Sequence, residues 1–303
     1  MKGKILVILT IISIQLFGQV YNYIEYYNLT NEGDRQEYLK NDSLAYILYL
    51  EAFEKVDYIH SDKLIKAAVL AIKQEDYKNA YNFSKQAMIL GTTNEFYKQK
   101  GFKKFRKTDL YKTFRDSLKF FQIEYRKNLN SNYKKQLDSL YYVDQRIIRG
   151  NKYVKGEYNI DKSKLSKNLF DLDSLIFKDF LALIEKYGFP TEKNVGRKTF
   201  NNISVIYHHN FRLPQNKKYM YIAQEAVKEG AFLPRNYAWM YDQSLTWFGK
   251  GEPYFYYGVY FDVKKLDKKK DLINKRRKKW GVKPLDAQKT IIRGKMIKTK
   301  QLW

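Results

Sequence analysis

The sequence predicts a mainly α fold, with a helical-repeat-like N-terminal region and a helical C-terminal domain that carries a small β-strand or hairpin. Three observations carry this expectation. Apolar side chains recur at i, i+3, i+4 and i+7 in successive windows between Asp34 and Tyr241. Gly91, Gly188 and Gly230 stand where such windows end, which is where a helix stop favours glycine. One stretch, Tyr254–Val263, is instead aromatic and β-prone.

The first 18 residues read as a signal peptide. Met1-Lys2-Gly3-Lys4 is basic, Ile5–Phe17 is apolar except at Thr10, Ser13 and Gln15, and Gly18-Gln19 follows. That run is shorter than the about 20 residues a membrane span needs, and it has the length of a secretory core. The expected location is periplasmic or secreted, with an uncleaved anchor helix as the alternative. No Cys follows for a lipid anchor, and the chain has no cysteine at all, which excludes disulfides, thiol chemistry and thiolate-held metals. After signal cleavage no transmembrane segment is expected.

Helices are expected in order. Asp34–Lys55 carries Leu39, Leu44, Ile47, Leu48 and Ala52 on one face. Ser61 caps a second helix with Leu64, Ala67, Ala68, Ala71 and Ile72 in register, and Gln74-Glu75-Asp76 turns into a third with Ala80, Phe83, Ala87 and Leu90. Small residues at Ala71, Ala80 and Ala87 with Tyr77 and Phe83 between them make Ala71–Ala87 similar to one tetratricopeptide unit, which must pack on its neighbours to bury its faces. Thr92–Asn130 is basic with phenylalanines interspersed. It reads as irregular helices completing a region 30–130, with a basic–aromatic nucleic-acid surface as the alternative.

A second domain, 132–288, follows. Its helices are Asn132–Arg149, Asp171–Tyr187 (closed by Gly188 and Pro190), Lys198–His209, Tyr219–Glu229, Arg235–Phe248 and Lys264–Trp280, with a linker at Gly150–Lys167 and a loosely structured basic tail at 289–303. The net charge of +25 suits a polyanion, but the excess is largely lysine in a chain rich in Asn, Ile, Tyr and Phe, so no specific nucleic acid is expected. The expected partner is an unidentified protein or envelope component.

Two carboxylates sit where core residues belong. Leu137, Leu140, Tyr141 and Ile148 form a stripe that includes Asp144, and Ala238, Tyr241, Leu245 and Phe248 form one that includes Asp242. A carboxylate facing a core is paired, hydrogen-bonded or protonated. One explanation is a buried ion pair with Arg149, Arg197, Arg212 or Arg235; the other is a pocket in which Asp144, His208 and Asp242 converge, His208 serving as general base or metal ligand. His208 and His209 are adjacent and so point about 100° apart on a helix, and no H-E-x-x-H occurs; no metal and no cofactor are expected. Phosphate-binding glycine motifs and a G-x-S-x-G elbow are absent.

These residues fall within an ordered series. Asp144-Gln145 with Arg149, Tyr187-Gly188-Phe189-Pro190, Val195-Gly196, Tyr207-His208, Ala226-Val227-Lys228-Glu229-Gly230, Asp242-Gln243, Tyr257-Gly258 and Arg277–Leu285 together resemble an uncharacterised bacterial family, a domain of unknown function. The resemblance covers Leu140–Leu285 and implies no activity, but it singles out Asp144, His208, Asp242 and Tyr257, with Arg149 and Tyr257 as binding residues. Gln243, Phe255 and Val259-Tyr260 replace the family's Arg, Gln and Thr-Gln, so an altered site is implied. The leading expectation is an exported, non-catalytic interaction or scaffold protein; the alternative is a hydrolase using Asp144, His208 and Asp242.

Overall fold

The computed structural model describes residues 21–92, 96–148, 165–211, 219–247, 256–258, 269–285, 290–293 and 296–299. The signal peptide, Arg149, most of the 150–167 linker and most of the aromatic 254–263 stretch lie outside these residues. The protein is mainly α-helical.

Asn22 caps α1 (Tyr23–Tyr38), its side chain accepting from the Glu25 N–H. The single helix expected over Asp34–Lys55 is two, because α1 stops in a Schellman closure before α2 (Asp42–Phe53) begins. Asn41 N–H bonds to Gln36 O at 2.9 Å, Lys40 N–H to Glu37 O at 3.0 Å, and Lys40 takes the left-handed conformation at φ 70°. The same closure, with Glu75 in the left-handed position, ends α3 (Ser61–Lys73), and Asp76 then caps α4 (Tyr77–Ile89).

Helices α1 and α2 pack as one hairpin and α3 and α4 as another. Ala67, Ala71, Ala80 and Ala87 are fully buried, so the second pair is close-packed as the repeat-like spacing implied. Three short turns of 3₁₀ helix (Phe96–Lys98, Lys100–Phe102, Phe105–Lys107) lead into α5 (Asp109–Asp116) and α6 (Leu118–Asn128). Phe96, Phe102, Phe105, Phe114 and Phe121 all enter this core, edge to face in several pairs, and Phe120 alone among the six expected aromatics is exposed. Five of the six phenylalanines are therefore core residues.

The C-terminal bundle comprises α7 (Ser131–Ile148), α8 (Leu165–Tyr187), α9 (Glu192–Val195), α10 (Arg197–Phe211), α11 (Met220–Lys228), α12 (Pro234–Trp247) and α13 (Lys270–Lys279). Helix α8 starts inside the expected linker. The tail is not loose throughout: β1 (Thr290–Arg293) and β2 (Met296–Thr299) pair antiparallel, Thr290 opposite Thr299. Of the aromatic 254–263 stretch, 256–258 form a bend. Tyr133, Leu137, Ile176, Phe180, Ile206, Tyr207 and Ala226 are among the fully buried residues of this second core.

The two halves are joined along α1. Asn28 Nδ2 donates to Lys278 O at 3.0 Å and Asn31 Nδ2 to Gly281 O at 2.8 Å. Gly281 has φ 67°, and a Cβ there would stand 2.6 Å from Tyr27 Cβ, so both backbone conformation and close approach demand glycine. Across the same seam, Glu192 of α9 accepts from Ser61 N–H at 2.8 Å and from Ser61 Oγ at 3.1 Å, capping α3 from the other half.

Burial, reinforced by nearby Asp62, pushes the Glu192 carboxyl up to about 7, whereas burial pushes neighbouring His60 down to about 4. The signs oppose. Glu192 contributes stability that is present at low pH and lost as pH rises through about 7; His60 contributes stability present above its ordinary value and lost as pH falls through about 4. Wild-type protein should therefore lose roughly 3 kcal/mol through Glu192 between pH 5 and pH 8.5. Glu192→Gln should remove that slope in urea titrations across this range; a parallel loss in the variant would assign the slope to other groups.

Candidate functional site

Helices α7, α8 and α10 pack against one another, and each brings one ionisable side chain to a common point. On α7 the buried series Tyr133, Leu137, Leu140 continues at Asp144, one helical repeat further on. On α8 the buried stripe Ile176, Phe177, Phe180 is headed by Asp173. On α10, His209 stands three residues past the buried Ile206. The arrangement follows from three apolar stripes that meet in one core and each carry a polar residue near its end.

Asp144 Oδ1 and Oδ2 lie 2.9 and 3.1 Å from His209 Nδ1, and Oδ2 also accepts from Gln145 Nε2 at 2.9 Å. Asp173 completes the group: one ligand atom from each of Asp144, Asp173 and His209 lies within 4.8 Å of the others. Asp144 and Asp173 are 1% and 2% exposed, while the His209 side chain keeps 13%. The cluster is thus a nearly dry set of two carboxylates and an imidazole, open to solvent on the histidine side. Such a set can hold a proton between Asp144 and His209, or a cation among all three.

Asp144 and Asp242 are both buried, as their stripe positions required. Asp242 stands outside the Asp144 cluster and accepts from the backbone N–H of Tyr257 at 2.9 Å. Tyr257 is buried, and Arg277, itself 3% exposed, donates to Tyr257 O at 2.6 Å, Gly258 O at 3.2 Å and Lys283 O at 2.6 Å. Asp242, Tyr257 and Arg277 therefore fasten the 256–258 bend to α12 and α13, so three residues of the motif series meet through the backbone of that bend.

His208 turns away from Asp144. Its ring lies flat on Trp239, 3.5 Å between centroids and 16° between planes, and the neighbouring His209 takes the place on Asp144 that was expected for His208. The 100° step between adjacent helical residues permits one of the two to face Asp144, and packing against Trp239 selects which. Of the four arginines expected near the carboxylates, Arg197 acts instead on Glu192 and His60 at the seam, Arg235 is exposed, and Arg149 and Arg212 lie outside the described residues.

Asp173 and His209 were not singled out from sequence. A signal for Asp173 was present: it stands three residues before Ile176 and four before Phe177, on the stripe those residues and Phe180 form, whereas Leu175 is 48% exposed. For His209 the sequence marked only the adjacent pair, and which of the two faces Asp144 depends on partners at 144 and 173, far outside any motif window.

Among the described residues no helix is long and apolar enough to cross a membrane. No family model, no curated protein and no solved structure matches this chain.

Proposed function

We propose that this is an exported helical protein that works by binding a component of the cell envelope. Export rests on the three-part character of residues 1–18. The observation that carries the binding function is the outer face of α2. Leu44 and Ile47 are 45% and 59% exposed, Leu48 lies beside them at the next helical position, and Leu39 is exposed at the end of α1. Helical-repeat arrays normally finish on a polar outer face, because an apolar one is left for a partner to cover. Glu51 and Glu54 border the strip, so its electrostatic rim is acidic in a strongly basic chain.

Leu44→Asp combined with Ile47→Asp should leave the fold intact, since both side chains are about half exposed, but should release the mature protein from an envelope fraction that retains the wild type. Circular dichroism checks the fold and sedimentation with envelopes reads the binding. Equal retention of both proteins would remove the basis for this function.

The hydrolase alternative retains one supporting observation, the buried Asp144–His209 pair, which has the form of a general base held by a carboxylate. A pocket using Asp144, His208 and Asp242 together has no such support, because the last two are engaged by Trp239 and by the Tyr257 backbone.

A further inference from the structure

We propose that Asp144, Asp173 and His209 form a binding site for one divalent transition-metal ion, a site independent of the α2 face. Each ligand comes from a different helix, and the three helices are mutually packed, so the donors converge by the architecture of the bundle and not by local sequence. An imidazole nitrogen and two carboxylates make a neutral complex with a divalent cation, which is the charge state a dry core favours.

The spacing fits. Adjacent ligands on an ion bound at about 2.1 Å stand about 3 Å apart in an octahedral arrangement. The two Asp144 oxygens are 2.9 and 3.1 Å from His209 Nδ1, so this edge is already formed. Asp173 supplies the third corner from within 4.8 Å. A hydrogen-bonded Asp–His pair by itself needs no second carboxylate; it is the approach of Asp173, 2% exposed, to the same point that distinguishes a ligand set from a pair.

The donor set also selects the ion. Calcium takes six to eight oxygens, roughly, and this group offers an imidazole in their place. Nitrogen with carboxylate oxygen suits zinc, manganese, iron or cobalt. Gln145, donating to Asp144 Oδ2, orients that carboxylate as an outer-sphere partner does. Three protein ligands leave coordination positions for water, and the partial exposure of His209 gives them an entry.

The test uses full-length mature protein stripped with chelator and titrated with Co²⁺, whose visible spectrum reports ligand type. The wild type and His208→Gln should each bind one equivalent saturably and show the same ligand-field band. Asp173→Asn and His209→Gln should each weaken binding at least tenfold, and Asp173→Asn leaves the Asp144–His209 hydrogen bond in place, so its fold is preserved for the comparison. Absence of saturable Co²⁺ binding by folded wild-type protein overturns the proposal, and so does unchanged binding in both ligand variants. Either result leaves the envelope-binding function untouched.

Discussion

Replacing Asp34 with Ala should cost about 3–5 kcal/mol of unfolding free energy, the largest effect expected of any single change in the N-terminal half. Asp34 is 9% exposed on α1, and its two oxygens receive Lys66 at 2.5 Å, Lys63 at 3.3 Å and Lys283 at 3.2 Å, with Tyr49 Oη donating at 2.6 Å. Burial pushes the carboxyl up, but the three ammonium groups together hold it well below the usual carboxylate range. Without Asp34 three partly buried cations face one another, and Glu37, which also contacts Lys66, is the remaining nearby counter-charge. Lys283 belongs to the C-terminal half, so the same change loosens the seam.

The acid dependence follows by sign. A depressed folded-state value means that the stability is present above the ordinary carboxylate range and is lost as pH falls below it. Asp34→Asn, which keeps an acceptor for Tyr49 but removes the charge, should therefore show a difference from wild type that begins to shrink once the solution is acid enough to protonate ordinary carboxylates and keeps shrinking toward the depressed folded-state value. Urea midpoints at pH 7 and pH 3 read this. Lys283→Met should cost much less, because Asp34 retains two lysines. A loss below about 1 kcal/mol for Asp34→Ala would show that solvent screens the lysines well.

Arg277→Met should be the most damaging change in the C-terminal half, at about 3 kcal/mol or more. Methionine keeps the apolar stem but offers no donors, so the carbonyls of Tyr257, Gly258 and Lys283 lose their guanidinium partner in a buried setting. Each stranded acceptor carries a desolvation penalty of roughly 1–3 kcal/mol, offset in part by water entering as the bend relaxes. Because Asp242 holds the N–H of the same Tyr257, the bend should open locally before the bundle does. Amide exchange at Tyr257 should accelerate more than exchange in α7 or α10. Arg277→Lys should recover part of the loss. An unchanged urea midpoint would show that the bend contributes little to the fold.

The extent of legibility differs by residue. Helices were readable where an apolar stripe and a stop signal coincided, as in α4 and α11, which end at Gly91 and Gly230. The break at Lys40 was not, because a Schellman closure normally advertises itself with glycine, and here lysine occupies the left-handed position. The burial of Asp144 and Asp242 was readable from periodicity alone, since the helical repeat decides which side of a helix a residue occupies.

What the sequence by itself determined is therefore the class of fold, the faces that turn inward and the presence of charge on two of them. What only the tertiary structure decided is company: Asp144 with His209 and Asp173, Asp242 with the Tyr257 backbone, Glu192 with Ser61. The reason is physical. Facing is set within one helical turn by local geometry, whereas partnership is set by how separate helices rotate and slide as their apolar stripes pack, over separations of 65 residues for Asp144–His209 and 131 for Ser61–Glu192.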